Sequence, residues 1–370
     1  MRIAIDGNEA NVENRVGVNQ YAAELLTALE NLQESKKHEW IIFLDKEPLQ
    51  HLPQPSPNWK YIVGRGGLLG KLTNLWFANP KLDVYFAPTH YLPPISPVPM
   101  VMSIMDLGYL RFPNQFTKRD FYQLKYWTNL SLRVAKKVIA ISESTRDEII
   151  SHYPWTIGKV EVTLLGYNKT RYRYPIQGWR IRRTKEKYGI FWEYVIYVGT
   201  LKPSKNVEGL LDAFRQFKNA DLSLVIVGKK GWLYESIFEK AHKIGLEDKI
   251  IFTDFVSEEE KADLLSGAKC LVSPSFWEGF GMHVLEAMAC GCPVVVSKVG
   301  SLPEVVGEAG ILVDPGDSDS IAKGIEFVVS LPANKYNQLR GAVLKQAEKF
   351  SWDKTARETL SILKQAYDSD

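Results

Sequence analysis

Two glutamates with seven residues between them, Glu278 and Glu286, are the side chains in this 370-residue sequence best spaced to do chemistry. Glu278 falls in a loop with Gly279 and Gly281. Glu286 falls within a run of good helix formers from Met282 to Ala289. Glycine lets a backbone approach a ligand closely. A helix start aims free N–H groups and the positive end of its dipole at the preceding loop, where an anion such as phosphate can rest. A loop carboxylate, an anion-seeking helix start and a second carboxylate together suit a sugar linked to a nucleotide diphosphate. A cationic contact for a diphosphate is Lys205, in the loop from Gly199 to Asn206 that follows another apolar run.

These residues need rigid elements to hold them, and the sequence alternates strand and helix throughout. Ahead of Glu278 the chain reads as a strand through Leu271 and Val272, broken by Pro274 and Gly279. Behind Glu286, Gly291 sits where a helix C-cap belongs, and Val294, Val295 and Val296 suit a parallel strand covered on both faces. In the first half, strands are expected at 3–5, 40–44, 59–63, 83–86, 100–105, 137–141 and 160–165, with helices at 20–32, 116–134 and 146–152. In the second half, strands at 194–198, 222–227 and 250–252 alternate with helices at 207–217, 233–244 and 258–266, and helices at 335–350 and 352–366 close the chain. This is an open α/β pattern written twice. Between the halves, 169–187 is basic and aromatic and reads as a linker with the first helix of a second domain. Its arginines and lysines are either a patch for anionic lipid or substrate, or a solvated helix face, and the second reading is favoured.

The string around the two glutamates resembles the Glu-x7-Glu signature of the retaining glycosyltransferases of family 4. Pro274-Ser275, Glu278-Gly279-Phe280-Gly281, Glu286-Ala287-Met288-Ala289, Pro293-Val294-Val295, Gly300-Ser301-Leu302-Pro303-Glu304-Val305 and Val313-Asp314-Pro315 all carry the resemblance. It implies an α/β fold of two facing Rossmann-like domains with parallel sheets (GT-B) and a donor cleft between them. The first, 1–170, would take the acceptor and be joined by a last helix, 352–370, crossing back. The second, 171–351, would take the nucleotide sugar. The resemblance implies Glu286 on the ribose hydroxyls. It also implies Gly17, Lys205 and the helix start at Gly281-Met282 on the diphosphate, Glu278 with Phe280 and Gly281 on the sugar, and Lys229 and Phe255 near the base. Thr200 stands where many members carry arginine, and Lys202 is the candidate substitute. Met105-Asp106 stands where members often have His-Asp, so Asp106 is the candidate for acceptor binding or proton transfer and His90 the candidate on the acceptor side. His283 is expected to contribute mainly backbone.

The implied reaction is hexosyl transfer without a metal or other cofactor, to a hydroxyl of a glycan or lipid-linked acceptor in polysaccharide biosynthesis. The string Tyr197-Val198-Gly199-Thr200-Leu201 with Pro203, Lys205 and Asn206 resembles the mannosyltransferase branch, which favours GDP-mannose over UDP-glucose. A nucleotide-sugar epimerase or a phosphorylase on the same fold, and a non-catalytic glycan-binding subunit, are the alternatives.

Several other motifs fail. The stretch 64–72 lacks the first glycine and the closing Ser or Thr of a P-loop, since Arg65 and Leu72 occupy those places. Asp317-Ser318-Asp319 reads as a helix start and Asp368-Ser369-Asp370 as a chain end, so neither is expected to bind metal. Cys290 and Cys292 have no second pair to complete a zinc site. Three cysteines and no signal-like segment suit a reducing, cytoplasmic setting, with the basic, aromatic stretch 118–137 a candidate for peripheral contact with the inner face of a membrane. A net charge of +3 gives no indication of nucleic acid as a partner, and oligomeric state is not legible.

Overall fold

The computed structural model describes residues 1–15, 17–64, 75–76, 81–217, 221–231 and 233–369. The stretch 64–72 therefore lies outside the described residues except for Gly64. The chain divides into two compact units, Met1–Gly166 with Ser351–Asp370, and Tyr167–Phe350.

The first unit holds a seven-stranded sheet, β1 (Arg2–Asp6), β2 (Glu39–Leu44), β3 (Trp59–Val63), β4 (Val84–Ala87), β5 (Met100–Ile104), β6 (Lys137–Ala140) and β7 (Val160–Val162). Its spatial order is β3-β2-β1-β4-β5-β6-β7. The second unit holds β8 (Glu193–Val198), β9 (Leu222–Val227), β10 (Ile250–Asp254), β11 (Cys270–Ser273), β12 (Val294–Ser297) and β13 (Ile311–Val313), in the order β10-β9-β8-β11-β12-β13. The paired strands run parallel throughout. β4, β5, β9, β11 and β12 are buried along their whole length, as apolar strands covered by helices on both faces must be.

Helix Trp352–Asp368 completes the first unit. Its buried residues, from Trp352 through Thr355, Ala356, Thr359, Leu360 and Leu363 to Ala366, recur at three- and four-residue spacing. The Trp352 ring lies 6.2 Å from that of Tyr21 on helix Val18–Asn31, and Thr355 Oγ1 donates to the Leu164 carbonyl at 2.6 Å. Gly166 is the point of closest approach: a Cβ there would stand 2.1 Å from the Trp352 nitrogen.

Several element ends differ from the sequence reading. The helix expected at 233–244 starts at Glu235, because Leu233 adopts φ 55°, which a right-handed helix cannot contain. The helix expected at 207–217 ends at Phe214 and tightens into a 3-10 turn, Arg215–Phe217. The long helix begins at Lys118, where the Thr117 hydroxyl accepts from the Asp120 N–H. β7 stops at Val162, short of the expected Leu165. Helix Leu302–Val306 and β13 were not anticipated as elements; at five and three residues they are too short to show a period.

Candidate active site

Open parallel sheets bind ligands beyond the carboxyl ends of strands where the winding reverses. In the second unit, β8 is followed by β9 and β10 on one side, whereas β11, β12 and β13 continue on the other, so the switch point lies between β8 and β11. Its two flanking loops are the ones that carry Lys205 and Glu278. The Phe276 N–H donates to the Ser204 carbonyl at 2.9 Å and ties them together. Asn206 adds a second tie. Its side-chain amide donates to the Pro274 and Pro315 carbonyls at 3.1 and 2.6 Å, while its oxygen accepts from the Gly209 N–H and caps helix Val207–Phe214. Asn206 does this from a left-handed backbone, φ 54°, a conformation asparagine tolerates better than most residues.

Across the switch point, Lys205 Nζ meets Glu278 Oε1 at 2.5 Å, and the Ser275 hydroxyl donates to the same oxygen at 2.8 Å. Glu278 is 8 % exposed. Burial pushes its carboxyl up, but Lys205 and the donated hydrogen bonds outweigh burial and hold it at about 2. His283 follows on the helix. Its side chain does more than the sequence suggests: Nε2 lies 2.8 Å from the Ser273 hydroxyl. Burial drives this imidazole down to about 4, so at neutral pH the ring is uncharged and the cation facing Glu278 is Lys205.

The Gly300-Ser301 part of the signature supports the same loop. The Ser301 hydroxyl and N–H both reach the Glu278 carbonyl, at 3.0 and 3.2 Å. Gly300 has φ +63°, and a Cβ there would come within 2.7 Å of that carbonyl. The Ser297 hydroxyl holds the Ser275 carbonyl at 2.5 Å. The Glu278 loop is thus fixed from three sides, which is what a site that must hold one geometry requires.

Helix Met282–Ala289 starts at Gly281, φ 91°, with no side chain capping it. Phe280 is buried, edge-on to Phe350 with ring centroids 5.9 Å apart. Glu286 is also buried, and its Oε2 lies 3.0 Å from Lys261 Nζ. Lys261 at the same time meets Glu258 Oε1 at 2.9 Å, and the Tyr172 hydroxyl donates to Glu258 Oε2 at 2.5 Å. Sequence reasoning did not find Lys261 or Tyr172. The one local signal was the i,i+3 spacing of Glu258 and Lys261 in an acidic helix start.

Thr200 and Lys229 occupy adjoining loops after β8 and β9. The Leu201 N–H donates to the Lys229 carbonyl at 3.0 Å, and the Gly231 N–H donates back to the Leu201 carbonyl at 3.0 Å. Gly228 makes the contact possible, since a Cβ there would stand 1.9 Å from the Gly199 carbonyl oxygen. Phe255 follows β10 and is more than half exposed. The carboxyl-end loops of β8, β9, β10 and β11 therefore carry all the candidates assigned to the second unit except Met282 and Glu286, which lie in the helix that follows.

The first unit carries Gly17, His90 and Asp106. Its switch point lies between β1 and β4. Gly17 ends the loop after β1 and precedes helix Val18–Asn31, with φ 54°. His90 lies just beyond β4, and Asp106 just beyond β5, where its Oδ1 accepts from the Gly108 N–H at 2.8 Å. The His90 Nδ1 is buried and has no hydrogen-bond partner. Burial lowers the imidazole pKa, while Asp106 pulls it back up, which places the two in one electrostatic neighbourhood. Nearby Glu148 is buried beside Arg111, 3.4 Å away, and its carboxyl is raised by burial.

Asp317 caps helix Ser318–Val329, accepting from the Asp319 N–H at 2.9 Å. Among the described residues, no group of three or more His, Cys, Asp or Glu side chains is arranged to hold a metal ion, and no helix is long and apolar enough to cross a membrane.

Residues 183–346, which contain both glutamates and Lys205, match the family model described as glycosyl transferases group 1. The matched segment belongs to that family. Solved structures share the fold along the whole chain. Sucrose-phosphate synthase from Thermosynechococcus elongatus superposes with a TM-score of 0.80 at 20 % identity, covering 100 % of both chains. Anabaena HepE, solved with UDP and glucose, superposes with a TM-score of 0.77 at 20 % identity over 99 % of this chain and 100 % of its own. Among curated proteins, O-antigen chain mannosyltransferase B of Escherichia coli is 29 % identical over 94 % of this chain and 96 % of its own. The serotype-specific mannosyltransferase WbdA of Escherichia coli is 31 % identical over 67 % of this chain, which spans only 30 % of WbdA.

Proposed function

We propose that this glycosyltransferase moves a hexose, mannose in the first instance, from a nucleotide-diphosphate sugar to a hydroxyl of a glycan or lipid-linked acceptor, with retention at the sugar carbon. The observation that carries the reading is the Lys205–Glu278 pair across the switch point, beside an uncapped helix start that leads to Glu286. Lys205 and the N–H groups at Gly281-Met282 receive the diphosphate, and Glu286 receives the ribose hydroxyls. Glu278, with Phe280, orients the sugar. Lys229 and Phe255 face the base, with Thr200 beside them.

Chemistry on this reading is mostly electrostatic. A diphosphate arriving between the loops draws the Lys205 ammonium from Glu278, and charge developing on the departing diphosphate is met by donors already fixed in place. The sugar–phosphate bond breaks, the acceptor oxygen bonds the same carbon from the leaving-group face, and the acceptor hydroxyl's proton passes to the departing diphosphate oxygen, with no protein nucleophile. Asp106 and His90 receive the acceptor hydroxyl in the first unit. GDP-mannose is favoured as donor because two of the curated relatives reported above are named mannosyltransferases, with UDP-glucose next because HepE was solved with UDP and glucose. No step is assigned to a metal or other cofactor.

A thermal-shift screen against GDP, UDP, ADP and their sugar conjugates, without added metal, tests this. One nucleotide is expected to raise the melting temperature by several degrees, and Glu286→Ala to abolish the shift. No shift with any of them sinks the reading.

A peripheral membrane contact at the cytoplasmic face is part of the proposal. On helix Lys118–Val134, Tyr122, Tyr126 and Leu130 are exposed along one stripe, flanked by Lys118, Arg119, Lys125 and Arg133. Aromatic tips with basic flanks suit an anionic lipid surface. The protein is expected to co-sediment with phosphatidylglycerol vesicles at low salt and to be released at high salt. Equal recovery in the supernatant with anionic and neutral vesicles removes this part.

A further inference from the structure

The reading above leaves Lys261 without a role, although it touches the one carboxylate assigned to the ribose. A ribose presents two neighbouring O–H donors. Its best receptor is a carboxylate that only accepts. Glu286 is 5 % exposed, and burial drives an isolated carboxyl towards its neutral form. A protonated acid would turn a donor towards donors. The Lys261 ammonium, 3.0 Å from Glu286 Oε2, opposes that.

Lys261 is itself held on several sides. Glu258 Oε1 lies 2.9 Å away, and the Tyr172 ring lies beside the ammonium, 5.3 Å from centroid to nitrogen. Burial alone would discharge this lysine, but Glu286 and Glu258 outweigh it and keep the ammonium charged. Glu258 is fixed in turn by the Tyr172 hydroxyl at 2.5 Å and by Arg171 at 3.8 Å. The cation on Glu286 is therefore a built feature, locked between two helices and a buried tyrosine.

We propose that Lys261 is a positioning residue that keeps Glu286 ionised and aimed, and so sets the preference of the second unit for a nucleotide with a ribose diol. This rests on the reading that the unit takes a nucleoside diphosphate with its ribose on Glu286. The competing account is a lysine that only ties helix Glu258–Gly267 to helix Met282–Ala289.

Calorimetric titration separates them, using GDP, UDP and their 2′,3′-dideoxy counterparts on the full chain. The wild type is expected to bind its preferred ribonucleotide about tenfold or more tighter than the dideoxy form, the worth of a hydrogen bond to a charged group. Lys261→Met should bring that ratio to within about twofold while leaving dideoxy affinity unchanged, and Lys261→Arg should restore part of it. If Lys261→Met does not fold, Lys261→Gln makes the same test, since it keeps polar contacts without the charge. A ratio that survives in these variants, or an equal loss for both nucleotide forms, overturns the proposal. A wild type that shows no ratio, or binds neither nucleotide, overturns the ribose assignment of Glu286 and this proposal with it.

Discussion

Lys205→Met is expected to cost about 3–5 kcal/mol of stability at neutral pH, because it strands a buried carboxylate whose cation has gone. Glu278→Gln in the same chain should return most of that loss. The pair should therefore be strongly non-additive in a double-mutant cycle read by urea unfolding. Additive costs would mean that Lys205 and Glu278 do not depend on each other in the folded protein. Transfer should respond differently. Glu278→Gln alone is expected to lower kcat/KM by about 10³-fold on the proposed reading, as loss of a preorganised polar contact does, and the double variant should recover stability without recovering activity.

The same pair sets an acid limit. Glu278 is held at about 2 against an ordinary value of 4.5. A carboxyl depressed in the fold contributes stability above its unfolded value and loses it as pH falls through the folded one. About 3 kcal/mol is thus present above pH 4.5 and disappears between 4.5 and 2. His283, held at about 4 against 6.5, acts in the same direction over a higher window, because the fold keeps the ring neutral while the unfolded chain takes up a proton. Wild-type stability should decline from pH 6.5 down to about 2, most steeply between 4.5 and 4, where the two windows overlap. Glu278→Gln should keep the decline above pH 4.5 and weaken the one below it, where Glu260 still titrates.

Asn206→Ala is expected to destabilise by about 3 kcal/mol. It removes an N-cap worth about 1 kcal/mol and unpairs two buried carbonyls at about 1 kcal/mol or more each. It also puts a Cβ-bearing residue without local hydrogen bonds at φ 54°. Asn206→Gly should be about 1 kcal/mol less damaging because it relieves only the backbone. Equal melting temperatures for the two variants would show that the left-handed backbone contributes nothing. Any Asn206 variant that still folds should bind donor more weakly, since its amide joins the Lys205 loop to Pro274 and Pro315.

The parts of the site that were legible in the sequence are those written in one stretch. Glu278, Gly281 and Glu286 lie in one loop and the helix that follows it, and the glycines and the run of helix formers mark where the loop ends and the helix begins. Lys205 could be read because its loop follows an apolar strand. The Gly300-Ser301 motif was visible, but its purpose was not: it works through a carbonyl, and carbonyls carry no sequence signal. Lys261 reaches Glu286 from another helix, and Tyr172 reaches Glu258 and Lys261 from farther away in the chain, by side-chain contacts that no local period encodes. The fold followed the same rule. Continuous apolar runs bounded by turn residues marked most of the strands, whereas β13 and helix Leu302–Val306 are too short to declare themselves. Leu233 shows the converse, a good helix former that the tertiary structure places outside the helix.

The path of the chain has a consequence for how the protein is made. The first unit is finished by Ser351–Asp370, so the ribosome supplies its last helix only after the whole of Tyr167–Phe350. Domains usually fold in the order in which they emerge. Here the second unit, uninterrupted in sequence, can complete itself while the first still waits with the seat of Trp352, Leu360 and Leu363 uncovered. The half synthesised first is thus the half completed last, and during that interval it is the nascent chain's exposed apolar surface.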